Sequence, residues 1–452
     1  MISIRPYYKI LHCSLWLILS AISIMGCRKD LAPDPEFGEG DYPRIFYLGD
    51  QFPSAVVINE GDTAKYNNLQ FSPAGKVNIT WFVNDGVSGT DTSFNFVPQA
   101  GGIFNIVLEA EYNGLRSVRR SQVIVKPSSY TPKPYDKVVM GYLSENGTAA
   151  SVKWNYITHL AAQIGRVSSD GSLDITKGNI NQLSDELIAR GHTQGIPVLL
   201  GIYGRLTPVD GWAYYESDDM GAAIRNPSAR ASLVARISDY ITATKMDGVD
   251  IMMTDFNGSP NYSANLAALE PFVNELREAL PEGSLITLAV TTGWQHWEYP
   301  ADLSKLDWVN VHAYEDGIHV GPGAPVGQAS SYDHMVYSAA IWANKLGAEK
   351  VVVGFPVFGL RYLELDADGN NLSWGSYDYT PYRQILEIDP AANTKEFVDA
   401  AKGIYYNGQP LIEQKAAYIK NSAYKGMYGW YLDADAADTT KSVFKTAYDL
   451  LK

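Results

Sequence analysis

Cysteine is nearly absent from this chain: there are two in 452 residues, Cys13 and Cys27. Cys13 lies inside a hydrophobic N-terminal run, so once that run is removed neither a disulfide framework nor a cysteine-based metal site can form. Histidine is scarce as well. Of the seven, His296, His312 and His319 lie near one another in sequence, but none has metal-ligand spacing and no His-Glu-x-x-His pairing occurs. No metal and no cofactor is therefore expected. After the N-terminal run there is no further apolar span of about 20 residues, the length a membrane-crossing helix needs. There is no basic block either. Thirty-six Lys and Arg stand against 50 Asp and Glu, for a net charge of −14. Such a chain excludes a nucleic-acid partner and does not adhere to anionic lipid by charge alone. No internal repeat occurs.

What the chain has in surplus is aromatic surface, with 30 Tyr and 10 Trp. Most such rings pack in cores and strands, but flat amphipathic faces also stack on ligands. Residues 1–26 combine a basic start with an apolar stretch from Ile10 to Met25, as a signal peptide does. Ile24-Met-Gly-Cys27 resembles a bacterial lipobox, which implies cleavage before Cys27 and lipidation of that residue. Residues 27–42 are polar and rich in Pro and Gly, a flexible tether. Its Arg28-Lys-Asp30 start loosely resembles the surface-export signals of Bacteroidetes lipoproteins.

Residues 43–125 alternate apolar and polar positions in short runs, among them Val77–Val83, Ser93–Val97 and Ile103–Ala110. Turn signals such as Asn84-Asp-Gly86 separate them. This spacing predicts a small β-sandwich, and its pattern around Trp81 resembles immunoglobulin-like or PKD-type modules. A Pro-rich linker follows at 126–135. From 136 to 452, buried strands alternate with helical stretches. Eight strands are predicted, at Val138–Leu143, His159–Ile164, Pro197–Ile202, Gly248–Met253, Leu285–Val290, Trp308–His312, Lys350–Phe355 and Gly426–Trp430. Eight such units in roughly 315 residues fit a (β/α)₈ TIM barrel. The segment between Arg361 and Ile412 is an insertion in the last unit. Within it, Asp366-Ala-Asp-Gly-Asn370 reads as a β-turn rather than a calcium loop, because no Glu stands at the twelfth position.

The barrel is organised around Lys245-Met-Asp-Gly-Val-Asp-Ile-Met-Met-Thr-Asp255. Period-2 alternation places Asp250, Met252 and Thr254 on one face of the strand. A lone Asp facing a core is costly unless hydrogen bonds hold it, so Asp250 reads as a buried structural carboxylate. This stretch resembles glycoside hydrolase family 18, the chitinases and endo-β-N-acetylglucosaminidases, whose fourth strand carries D-G-x-D-x-D-x-E. Asp247, Gly248 and Asp250 match; Met252 stands at the third Asp and Thr254 at the Glu. Asp307–Glu315 resembles the sixth-strand pattern D-x-[IV]-N-[IVL]-M-x-Y-D, keeping Tyr314. Lys350–Gly359 is similar to the seventh strand. Gly426–Tyr431 resembles the eighth, with Trp430 at the Trp that floors the sugar subsite.

The resemblance implies a mechanism in which one Glu protonates the leaving group and the substrate's acetamide attacks, oriented by an Asp two residues earlier. Here Met252 cannot bind the acetamide as a carboxylate does, and Thr254 cannot act as an acid near neutral pH. No catalytic residue is therefore assigned. Asp255 is a substitute acid only if a bulge turns it inward. Glu315 lies near the same rim as a lone acid. The candidate glycan-binding set is Tyr142, Asp250, Tyr314, Glu315 and Trp430, with Trp294 added as a loop aromatic able to stack on a sugar.

Three functional readings stand open. The first is a surface lipoprotein of the outer membrane, anchored through Cys27. It would bind N-acetylglucosamine-containing glycans with an inactive barrel, alongside other outer-membrane proteins of glycan uptake. The second is an active endo-glycosidase or chitinase with a relocated acid such as Asp255. The third is a barrel that serves as a protein or peptidoglycan interaction module.

Overall fold

The computed structural model describes residues 42–176, 178, 180–204, 206–208, 214–216, 219–252, 261–293, 296–314 and 319–452. Cys27 with its signal peptide, and Thr254, Asp255, Trp294 and Glu315, lie outside the described residues. The chain divides into two compact units.

The described part of the first unit comprises residues 42–54, 64–96 and 105–122. Its strand Asn78–Val83 pairs antiparallel with residues 106–111, and Gly86–Gly89 folds back on it as a hairpin. Asn84 and Asp85 adopt positive φ in that turn, a conformation Asn and Asp tolerate better than most residues. Trp81 is fully buried, stacked on Phe94 at 5.0 Å, with its indole N–H donating to the Asp91 carbonyl at 2.9 Å. The indole thus buries its large face without leaving a donor unpaired. Three further short strands, Arg44–Phe46, Ala64–Tyr66 and Gln70–Ser72, have no alternation long enough to be read from the sequence.

The second unit holds residues 55–63, 97–104 and 123–452. Its barrel strands are β1 (Val138–Leu143), β2 (His159–Val167), β3 (Val198–Tyr203), β4 (Gly248–Ile251), β5 (Leu285–Thr291), β6 (Trp308–His312), β7 (Val351–Pro356) and β8 (Gly426–Trp430). Each pairs in parallel with the next, and β8 pairs with both β7 and β1, so the sheet closes. Observed and predicted strands differ by no more than three residues at any end. The helix Pro227–Thr244 leading to β4 shows why. Pro227 fits its first turn, and the Asn226 side chain accepts from the N–H groups of Ser228 and Ala229 at 2.9 and 3.2 Å. Ala229, Leu233, Val234, Ile237 and Ile241 recur at helical spacing and are buried. Each of the larger ones contributes roughly 1.5–3 kcal/mol by leaving water.

The Asp247-Gly248 pair serves the base of the barrel. Gly248 has φ of 152°, and a Cβ there would lie 2.0 Å from the Leu285 carbonyl oxygen, so only glycine fits. The Asp247 carboxylate accepts from the Val198 N–H at 2.7 Å, bonds His192 Nε2 at 2.9 Å and accepts the Tyr130 hydroxyl. Tyr130 stacks on His192 at 3.9 Å, and the Lys133 N–H donates to the Gly195 carbonyl at 2.8 Å. The Pro-rich run is therefore docked on the barrel.

Between β7 and β8 the insertion forms a four-stranded antiparallel sheet from Phe358–Tyr362, Tyr377–Pro381, Phe397–Val398 and Ile404–Tyr406. Asp366 lies in a tight turn, where its carboxylate accepts from the N–H groups of Asp368 and Asn370 at 2.9 and 2.8 Å. No helix among the described residues is long and apolar enough to cross a membrane.

Candidate functional site

Alternation along β4 turns Asp250 inward, and Met252, one residue past its end, turns the same way. Asp250 is fully buried. Its Oδ1 accepts from the Thr287 hydroxyl on β5 and from Asn310 Nδ2 on β6, the latter at 2.9 Å. The same Asn310 amide bonds the Tyr142 hydroxyl at 2.9 Å, and Trp308 Nε1 donates to Asn310 Oδ1 at 3.0 Å. The Oδ2 of Asp250 has no hydrogen-bond partner among the described residues. Burial pushes the Asp250 carboxyl up to about 6, against the opposing pull of Thr287 first and then of the neighbouring Tyr142 and Asn310. Burial, and then the charge of Asp250, drive the Tyr142 phenol well above its usual range.

An aspartate raised in this way holds its proton more tightly when folded. Its stabilising contribution is complete below its ordinary value near 3.8 and is lost as pH rises through about 6. The D250N variant keeps a neutral side chain of the same shape. Its stability relative to the unmutated protein should therefore improve between those two pH values and level off above, by about 3 kcal/mol in total. Denaturant melts of both proteins from pH 4 to 8 measure this. Parallel curves across the window would mean that Asp250 titrates as in an unfolded chain.

Met252 is 6% exposed and its backbone N–H donates to the Ile202 carbonyl at 2.9 Å, which extends the β4 register. Its thioether fills the hollow over Gly201 on β3: a Cβ at Gly201 would lie 2.2 Å from Met252 Cε. An apolar plug thus stands on the inward face two residues after Asp250. It can neither carry charge nor accept a strong hydrogen bond.

Tyr314, just past β6, is 4% exposed. Its ring lies 3.8 Å from that of His312 and 6.0 Å from Phe358, and its hydroxyl is 3.4 Å from that of Tyr428. The neighbouring Ala313 carbonyl accepts from Ser330 Oγ at 2.7 Å. Ser330 is in turn held by Lys415, whose ammonium nitrogen reaches the Ser330 carbonyl, the Ser330 hydroxyl and Asn407 Oδ1 at 2.8, 2.7 and 2.6 Å. Lys415 is fully buried, and desolvation lowers it to about 7. No sequence pattern points to this lysine, because its helix reads as an ordinary amphipathic one.

Trp430 closes β8 with its side chain part-exposed, its ring 5.2 Å from Tyr142. A line of rings continues from Tyr314 through Phe358 to Tyr379 on the insertion, 5.3 Å from Phe358 and 49% exposed. The structure therefore brings Tyr142, Asp250, Met252, Tyr314 and Trp430 into one inward cluster at the C-terminal mouth, where barrel sites lie. Sequence reading missed Glu145 in the loop after β1, whose Oε2 accepts from the Tyr203 hydroxyl at 2.6 Å. Its position just past a barrel strand was the available signal. Among the described residues no group of three His, Cys, Asp or Glu side chains could hold a metal.

Residues 132–435 match the family model described as glycosyl hydrolases family 18. The chain is 27% identical over 246 residues to a chitinase-like effector of Moniliophthora perniciosa, which covers 48% of this chain. That alignment takes in 53% of the effector, so the chain spans about half the length of this curated relative. Among solved structures, a chitinase from Bacteroides thetaiotaomicron is similar with a TM-score of 0.57 at 25% identity, over 70% of this chain and 96% of that one. A class V chitinase variant from Nicotiana tobaccum, solved in complex with NAG4, gives a TM-score of 0.53 at 19% identity, over 70% and 99%.

Proposed function

We propose that this chain, which belongs to glycosyl hydrolase family 18, captures N-acetylglucosamine-containing glycans at its barrel mouth without cleaving them. The observation that carries the reading is Met252, buried on the inward face beside Asp250 and seated over Gly201. A methionine there leaves no carboxylate to orient an acetamide or to stabilise the charge that develops on it. Thr254, at the position of the acid, has a hydroxyl too weakly acidic to protonate a leaving group. The aromatic part of the site remains: Trp430 and Tyr142 lie together, and Tyr314 joins Tyr142 through the ring of Tyr428. Ring faces on sugar C–H faces contribute roughly 0.5–1.5 kcal/mol each if they act as other aromatic contacts do. That a relative of the same fold was solved with NAG4 bound supports the ligand class.

The purified protein from Arg28 to Lys452 should therefore show no turnover of chitin oligomers or high-mannose N-glycans. Release of a labelled end group is the measurement. Turnover that disappears in D255A would mean that a displaced acid works, and would replace the binding reading by the hydrolytic one.

We further propose that the 43–125 region is a spacer of immunoglobulin-like or PKD type and that the lipidated Cys27 holds the protein at the outer-membrane surface. The support is the lipobox-like run, with no later apolar stretch to replace it. C27A should leave the protein soluble after high-salt extraction; if it still pellets with membranes, another anchor exists.

A further inference from the structure

The loop after β1 is laced across the mouth. Ser144 Oγ donates to Asp433 Oδ2 at 2.8 Å, three residues beyond Trp430. The Glu145 N–H donates to Gln163 Oε1 on β2 at 3.2 Å. The Glu145 carboxylate reaches past β2 to Tyr203, the last residue of β3, which donates to its Oε2 at 2.6 Å. Tyr203 is 7% exposed and packs in the same inward cluster as Met252 and Tyr142. A half-buried carboxylate is thus held at the rim between the Trp430 side and the Met252 side, aimed by the Tyr203 phenol. The phenol itself is raised above its usual range, first by burial and then by its bond to Glu145, so it stays a donor.

We infer that Glu145 is the carboxylate that recognises the bound sugar at this mouth, an inference that rests on the glycan-binding reading above. Tyr203 fixes one oxygen. The other accepts a hydrogen bond from an acetamide N–H or a hydroxyl of the sugar. An ionised carboxylate makes such a bond about twice as strong as a neutral acceptor does. It stands at a different strand from the motif's own acids, and it supplies the polar anchor that the aromatic faces lack. A stacking floor alone holds a sugar without fixing its register; one directed acceptor fixes it.

The test is calorimetric titration of chitotetraose into the unmutated protein, E145Q, Y203F and the double variant, with cellotetraose as the probe that lacks the acetamide. E145Q should weaken chitotetraose binding at least tenfold, with an unchanged melting temperature. Y203F, which frees the carboxylate without removing it, should weaken binding about threefold and add nothing in the E145Q background. A larger loss for chitotetraose than for cellotetraose identifies the acetamide N–H as the donor; equal losses identify a hydroxyl. Unchanged chitotetraose affinity in folded E145Q overturns the assignment and leaves the glycan-binding reading intact. Absence of binding by the unmutated protein overturns both.

Discussion

Trp430→Ala should lower affinity for N-acetylglucosamine oligomers at least roughly tenfold, about 1.4 kcal/mol, while the melting temperature moves by only a few degrees. The side chain is part-exposed at the end of β8, and its ring rests on Tyr142 at 5.2 Å. What ties this residue into the fold is its backbone. The Trp430 carbonyl accepts the Val357 N–H at 2.8 Å, and its strand register against Pro356 does not involve the indole. An alanine keeps both. Trp308 gives the contrast within the same barrel. It is 1% exposed and its indole bonds Asn310, so Trp308→Ala should cost about 3–5 kcal/mol of stability. Titration beside a thermal melt for the two variants separates floor from core. Unchanged affinity in a folded Trp430→Ala protein would move the ligand away from the barrel mouth.

The second large effect is a gain. Met252→Asp combined with Thr254→Glu should create hydrolysis of a labelled chitooligosaccharide, at least roughly a hundredfold above the unmutated protein, the lower end of what a positioned acid contributes. The single changes should give little, because the acid and the orienting carboxylate act as a unit. The hollow over Gly201 that Met252 now fills has room for the smaller carboxylate. Asp250 Oδ2, without a partner among the described residues, is left open to a new neighbour. A double variant that folds, binds and still shows no turnover would mean that the pocket has diverged at further positions, with Tyr203 and Glu145 the first to examine.

The barrel was legible because its strands are continuous apolar runs between helical periodicities, a signal that survives without any alignment. Asp250 was legible for a different reason: one carboxylate in an apolar strand has few roles, and the bonds from Thr287 and Asn310 give it a structural one. The short strands at Arg44–Phe46, Ala64–Tyr66 and Gln70–Ser72 were not, since three residues carry no period. Glu145 and Lys415 were hidden by distance along the chain. The partner of Glu145 is 58 residues away, and Ser330, which Lys415 holds, is 85 away. Neither pairing leaves a local trace, whereas the D-G-x-D motif concentrates its evidence in one strand. The structure also divides that motif by task. Asp247 and Gly248 build the base of the barrel, and positions 250 and 252 face the mouth.

The docking of Tyr130 and Lys133 has a consequence for how this protein can be cut. A stretch rich in proline just before the first barrel strand looks like a linker, and an expression boundary drawn at Asp136 would follow from that appearance. It would also remove the phenol that stacks on His192 and bonds Asp247, and with it one of the three groups that hold the carboxylate at the start of β4. A barrel excised to stand alone must keep Tyr130 and Lys133. By the same reasoning, a protease given the whole protein should leave peptide bonds 130–133 intact for as long as the barrel stays folded.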